Sequence, residues 1–88
     1  MRTAATMVKG RSPWMNDRVA TLCRLLDDHH GFRVPKELAR AAVADHLDLL
    51  ASIFRIPRQG AYRYVTDEVL RDMAREMAAE LHGRSGRD

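Results

Sequence analysis

Cysteine and long apolar runs are the two features that this sequence most clearly lacks. Cys23 is the only cysteine in 88 residues, which excludes an internal disulfide and is typical of a reducing compartment. No apolar run approaches the roughly 20 residues that span a bilayer. Arg2 and Lys9 near the N-terminus are not followed by an apolar stretch, so no secretory signal is expected. These absences predict a cytoplasmic protein without a membrane segment.

Sequence motifs for cofactors, metals and covalent catalysis are also missing. There is no Gly-rich phosphate loop, and the histidines and Cys23 do not follow the CxxC or HxxxH spacing of zinc sites. No base is placed by spacing to activate the Cys23 thiol. The pairs Asp27-Asp28 and Asp45-Asp48 are most simply solvated helix faces. We therefore expect no cofactor, no bound metal and no enzymatic activity.

The chain has enough apolar residues to fold, but only into one small domain. Apolar residues make up 45% of its 88 residues. A domain of this size buries a modest fraction of its surface, so a monomer would be marginally stable. Dimerisation would bury more surface, and a homodimer is therefore expected.

The net charge of +3 hides a segregation of charge along the chain. Residues 1–15 and 55–65 each carry three basic residues and no acid, whereas residues 66–83 carry five acids and two arginines. Residues 16–54 are almost neutral, with five bases and six acids. Because charge blocks steer partners, we expect the basic blocks to face a polyanion and the acidic block to face away. Trp14, beside the first basic block, either stacks on a nucleic-acid base or packs onto the first helix.

Apolar residues recur at helical spacing in three long segments, and no segment has the alternation of a strand. The pattern predicts an all-α fold, a small bundle of four to five helices. Residues 1–12 are expected to be a flexible basic arm, residues 13–83 the helical domain, and residues 84–88 a loose tail. The apolar stripes contain Val19, Leu22, Leu26 and His29 in the first helix, Val43, Leu47, Leu50 and Phe54 in the second, and Val69, Leu70, Met73, Met77 and Leu81 in the last.

Polar residues, prolines and glycines predict where these helices begin and end. Ser12-Pro13 and Asn16-Asp17 both offer helix-start chemistry; Asn16 is expected to cap the first helix, and Gly31 to stop it. Pro57 should end the second helix, because proline disfavours helical geometry in the residue before it. Thr66 can cap the last helix, which should end at Gly83.

The most informative segment is residues 55–65, which read Arg-Ile-Pro-Arg-Gln-Gly-Ala-Tyr-Arg-Tyr-Val. It has three arginines, two tyrosines and no acid. In a short helix that starts at Pro57, Ala61 and Val65 lie four residues apart and can both face the core. The side chains left on the other side are Arg58, Gln59, Tyr62 and Arg63. Such a helix suits phosphate contacts and fits the major groove of DNA, although a solvated basic turn between two core helices is the simpler alternative.

Residues 50–65 resemble the helix-turn-helix of TetR-type repressors, whose second half commonly ends in a Tyr-Arg-Tyr-Phe-like string; here the string is Tyr62-Arg63-Tyr64-Val65. Leu25-Leu26 followed by Gly31-Phe32-Arg33 is similar to the end of the first helix in those repressors. The resemblance implies that Ala61 and Val65 pack inward. It also implies that arginine and glutamine side chains approach bases while tyrosines touch phosphates or thymine methyls. The DNA-binding residues predicted in this way are Arg55, Arg58, Gln59, Tyr62, Arg63 and Tyr64.

Three features depart from the TetR-type pattern. Arg55 stands where most helix-turn-helix units have glycine in the turn. The second helix, residues 35–54, is longer than the family needs, which leaves open a break near Ala44-Asp45 or a different helical arrangement. The ligand-binding and dimerisation domain of the family has no counterpart in these 88 residues.

These patterns predict a small sequence-specific transcriptional regulator that acts as a homodimer on double-stranded DNA. The dimer is expected to form through the apolar side of residues 66–82, where Ala74 and Ala78 would let two helices approach closely and methionines would adapt to the partner. The alternative is a helical protein-interaction module, antitoxin- or inhibitor-like, that binds a partner protein through an apolar helix face. Tyrosine and arginine are enriched at such surfaces as well.

Overall fold

A computed structural model describes residues 12–85 of the protein, and the side chains of residues 12–83. All regular structure in this part of the chain is helical, which confirms the all-α prediction. None of the helices between residues 12 and 85 is both long and apolar enough to cross a bilayer. The expected basic arm lies outside the described residues except for Ser12. The helices are α1 (Pro13–His30), α2 (Lys36–Phe54), α3 (Arg58–Ala61), which continues into a 3-10 turn (Tyr62–Tyr64), and α4 (Asp67–Ser85).

Helix α1 begins one turn earlier than its predicted cap. The Ser12 hydroxyl accepts a hydrogen bond from the Met15 N–H at 3.2 Å, and Pro13 occupies a first-turn position where its missing N–H costs nothing. Asn16 is therefore not the cap; its Oδ1 instead accepts a hydrogen bond of 3.3 Å from Arg40. Gly31 ends the helix in the left-handed conformation with φ of 73°, as predicted.

Helix α2 is continuous from Lys36 to Phe54, so there is no break near Ala44-Asp45. It ends at Arg55, which adopts the left-handed conformation and donates its N–H to the carbonyl of Ala51. Pro57 then leads into α3, as predicted, because it is extended and directly precedes the first helical residue.

Helix α4 begins as predicted but ends later. The Thr66 hydroxyl accepts a hydrogen bond from the Val69 N–H at 3.2 Å, which is the expected capping contact. The predicted stop at Gly83 is wrong, since the helix continues to Ser85. A glycine costs a helix about 1 kcal/mol relative to alanine, which does not by itself terminate it. The expected loose tail is therefore helical over residues 84–85, and residues 86–88 lie outside the described part.

Helix α1 lies at the centre of the fold, because it packs against both α2 and α4. Arg18 near its start contacts Asp67 at the start of α4, and His29 near its end shares a cleft with His82 near the end of α4. The two helices therefore run in the same direction. The buried apolar side chains are Val19, Leu22, Leu26, Ala39, Val43, Leu47, Ala61, Val65, Leu70, Met73, Ala74 and Ala78.

The predicted stripes are mostly buried, with instructive exceptions. His29 is exposed, because it lies in the last turn of α1. Phe54 is 48% exposed. Arg40, near the start of α2, reaches Asn16 in the first turn of α1, and α2 also packs against α3. Leu49 and Ile53 of α2 are exposed as well, at 53% and 61%. On α4, the small residues Ala74 and Ala78 are buried within the chain.

We expect Val65→Asp and Ala61→Asp each to destabilise the domain, because each would bury a carboxylate without a partner. The expected loss in the free energy of unfolding is about 3–5 kcal/mol. Gln59→Asp, on the exposed side of the same segment, is the matched control and should change stability by no more than about 0.5 kcal/mol. Thermal melts followed by circular dichroism measure all three. Unchanged melts for both buried-site variants would show that the opposite face points inward.

Candidate nucleic-acid interface

The basic segment, residues 55–65, is seated on the core by one apolar edge. Ala61 is fully buried, Val65 is 3% exposed, and Ile56 is half-buried against the same cluster. Helix α3 packs against α2 through this edge. The inward orientation predicted for Ala61 and Val65 is therefore confirmed. Tyr62 is half-buried against the same cluster, whereas the side chains of Arg55, Arg58, Gln59, Arg63 and Tyr64 are exposed.

Tyr62 is held by an aromatic stack that the sequence did not reveal. Its ring lies parallel to the indole of Trp14, with centroids 4.0 Å apart and an angle of 2° between the planes. Trp14 and Tyr62 are both half-buried against the core cluster, so Trp14, in the first turn of α1, packs onto the basic segment. One face of the Tyr62 ring is covered by the indole, which leaves its edge and hydroxyl for contacts with a ligand.

Arg18 ties the end of the basic segment to α1 and to α4. Its guanidinium donates hydrogen bonds to the carbonyl oxygen of Val65 at 3.4 Å and to Oδ1 of Asp67 at 2.8 Å. Two further hydrogen bonds, of 2.8 and 2.5 Å, join it to Oδ2 of the neighbouring Asp17. Burial lowers the pKa of Arg18, but the hydrogen bonds to the two carboxylates outweigh this effect and raise it. Arg18 is thus a fixed cation that serves the structure, and only 15% of its side chain is exposed.

The fold brings an acid to a segment that has none in its own sequence. Nε of Arg58 lies 3.0 Å from Oδ1 of Asp48 on α2, and the two side chains are 50% and 66% exposed. A pair this exposed contributes about 0–1 kcal/mol. Arg58 can therefore exchange Asp48 for a stronger anion at little cost, although Asp48 competes for it.

Four other predicted DNA-binding side chains are exposed: Arg55, Gln59, Arg63 and Tyr64. Neither Arg55 nor Arg63 forms a side-chain hydrogen bond or an ion pair with any described residue. The Tyr64 ring leans against Phe54, with centroids 4.9 Å apart and an angle of 44°. The segment thus presents two uncompensated cations, a third that is weakly paired, and a partly free phenol.

Arg55 holds the turn between α2 and α3 in a strained conformation. Its φ is 56° and its ψ is 48°, and among the described residues it is the only one other than glycine with a positive φ. The left-handed region costs a residue with a Cβ about 1–2 kcal/mol. Such strain persists where the surrounding structure imposes it, often at functional positions. Compared with glycine, Arg55 places a positive charge in the turn but lowers the stability of the fold.

The histidines and Cys23 form no preorganised chemical centre. No group of three His, Cys, Asp or Glu side chains within the described part of the chain could hold a metal ion. Cys23 is half-buried, and burial raises the pKa of its thiol despite the opposing charge of Lys36. A thiol with a raised pKa is mostly protonated at neutral pH, so Cys23 is a poor nucleophile.

Comparisons with protein-family models, with curated proteins and with solved structures find no match to this chain. The resemblance to TetR-type repressors therefore depends on residues 50–65 and 25–33 alone.

We expect Arg55→Gly to raise the free energy of unfolding by about 0.5–1 kcal/mol, because glycine relieves the left-handed strain but makes the unfolded chain more flexible. Ser52→Gly, on the exposed face of α2, is the control and should lower stability by about 0.5–1 kcal/mol. Denaturant unfolding measures both values. A less stable Arg55→Gly variant would mean that the arginine side chain itself stabilises the fold.

Proposed function

We propose that the protein is a small DNA-binding transcriptional regulator that contacts duplex DNA through residues 55–65. One observation carries the proposal. The apolar edge of this segment is anchored by Ala61 and Val65, while Arg55, Arg58 and Arg63 are exposed. A rigidly seated row of cations is what a phosphate backbone requires, because phosphate contacts supply most of the affinity for DNA.

The order of the elements supports a helix-turn-helix as the docking unit. A long helix, α2, is followed by the turn 55–57 and by α3 with its 3-10 extension. In a helix-turn-helix the second helix lies in the major groove, and residues near its start contact base edges. Arg58 and Gln59 occupy that position here, and both can form bidentate contacts with bases. Arg55 in the turn is suited to a phosphate.

A dimer remains part of the proposal, but part of the surface predicted for it is used within the chain. Ala74 and Ala78, expected to let a partner helix approach along residues 66–82, are instead buried in the core. Val69, Met77 and Leu81, which are half-buried, leave some apolar surface on that side of α4.

The exposed apolar side chains of α2 favour a second candidate function. Leu49 is 53% exposed and Ile53 is 61% exposed, and Phe54 and Tyr64 lie at the same end of the helix with 48% and 41% exposure. Contiguous apolar surface often marks a protein-protein contact. A protein-interaction module that uses this end of α2 is therefore the alternative, and it would leave DNA unbound.

We expect Arg58→Ala and Arg63→Ala each to weaken binding to duplex DNA without changing the melting temperature, because both side chains are exposed. If the arginine contacts a base, the free energy of binding should fall by about 1–3 kcal/mol. If it contacts a phosphate, the affinity should depend less steeply on salt concentration. Arg24→Ala, exposed on α1 outside the basic segment, should bind like the parent. Mobility shifts over a range of salt concentrations measure these effects. If neither variant differs from the parent at low salt, the DNA proposal fails and the protein-interaction module is favoured.

Removing the acid of the Asp48–Arg58 ion pair should have the opposite effect on DNA binding. We expect Asp48→Asn to strengthen DNA binding, because it removes an acid beside the basic segment and releases Arg58. Asp28→Asn, an exposed acid near the far end of α1, is the matched control for the change in net charge. Equal affinities for the two variants would show that Asp48 does not lie near the bound DNA.

We expect light scattering of the parent at micromolar concentration to give twice the 10.0 kDa mass of the chain. Met77→Glu and Ile53→Glu then compare the two candidate surfaces, because both side chains are at least partly exposed and the charge should not unfold the domain. Met73→Glu is less informative, since Met73 is buried. A parent mass of 10.0 kDa would exclude the dimer under these conditions.

A further inference from the structure

The parallel helices α1 and α4 leave two open clefts between the last turns of α1 and residues 71–82 of α4, with volumes of about 190 and 410 Å³. His29, His30 and Arg75 line both clefts. Arg71 lines the smaller one, and His82 lines the larger one. The clefts thus share one wall and form a continuous groove lined by arginine and histidine, which we call the α1/α4 groove.

No carboxylate lines the α1/α4 groove, although α4 is acidic overall. The lining residues apart from the five named basic or imidazole groups are Leu25, Phe32, Ala74, Ala78 and Ala79. On α4 the spacing of residues 71, 75 and 82 places them along one edge of the helix. These three residues line the groove beside α1.

The arginine and histidine side chains of the groove have few partners. Arg71, His29, His30 and His82 form no side-chain hydrogen bond or ion pair with any described residue. Arg75 contacts Asp72, three residues away on the same exposed helix surface, and a pair of this kind is weak. Two neighbouring arginines repel each other, and a bound anion would reduce that repulsion.

We propose that the α1/α4 groove binds a small phosphorylated ligand. Arginine forks match the oxygens of phosphate, and imidazole N–H groups can donate to the same oxygens. The apolar lining of Leu25, Phe32 and Ala74 suits a non-polar portion of the ligand next to its phosphates.

The groove is separate from the proposed DNA surface. The basic segment meets α1 at Trp14, whereas the groove meets it at His29 and His30. At 1.5 Å per helical residue these positions are about 22–24 Å apart along α1. The proposal does not depend on DNA binding, but in a DNA-binding regulator this groove would be the site of an effector.

The test is a calorimetric titration of the 88-residue chain with sodium pyrophosphate at about neutral pH. We expect saturable binding. The double variant Arg71→Gln, Arg75→Gln should bind at least about tenfold more weakly, a difference of about 1.4 kcal/mol. Arg24→Gln, which removes an exposed arginine of α1 outside the groove, should bind like the parent. Circular dichroism melts confirm that all three proteins are folded.

Two results would overturn the proposal. One is equal affinity in the double variant and the Arg24→Gln control, which would indicate non-specific attraction to a basic protein. The other is a loss of pyrophosphate binding in Arg58→Ala, Arg63→Ala but not in the groove variant, which would assign the anion to the basic segment. Neither measurement uses DNA, so a failure here and a failure of the DNA proposal are distinguishable.

Discussion

The stacking of Tyr62 on Trp14 is the contact on which the orientation of the basic segment depends. Helix α3 has only four residues, too few to be stable without tertiary packing. The parallel rings, 4.0 Å apart, fix its C-terminal end to the first turn of α1. Arg18 then secures the residue that follows, because it donates to the Val65 carbonyl and to Asp67. Arg63 lies between these two contacts, and its side chain is exposed. Tertiary contacts on both sides hold the short segment in place, as a recognition surface would require.

The fold redistributes charges that the sequence presents as separate blocks. Residues 55–65 are free of acids in the sequence, yet Asp48 lies against Arg58 in the folded chain. Residues 66–83 are acidic in sum, yet the edge of α4 beside α1 carries Arg71 and Arg75. A helix places successive residues on different faces, so a block of net charge along the chain does not become a surface of the same charge. The charge of the basic segment and that of the α1/α4 groove therefore depend on the fold as well as on composition.

Structural features that depend on residues close together in the sequence could be predicted. The caps at Thr66 and Gly31 and the inward edge of Ala61 and Val65 depend on local spacing and backbone geometry, and the structure confirms them. The prediction of Asn16 as the first cap was wrong, since Ser12 is the cap. Both residues can accept a hydrogen bond from a first-turn N–H, so residue type alone does not show where the helix begins. Contacts between distant residues, such as Trp14 with Tyr62 and Arg18 with Asp67, leave no periodic signal in either helix. The burial of Ala74 and Ala78 was missed for a related reason: small residues fill the core only where two helices come close.

The two candidate functions meet at the C-terminal end of α2. This helix packs against α3, which carries part of the basic segment. Near the same end, Leu49 and Ile53 are 53% and 61% exposed. The turn at its end is held by Arg55 in a conformation that glycine would adopt more readily. Exposed apolar surface and a strained cation are both unfavourable for the isolated domain, and they occur together beside the basic segment. Stability is thus lower than it could be beside Arg58 and Arg63, which fits the proposed use of this surface for binding.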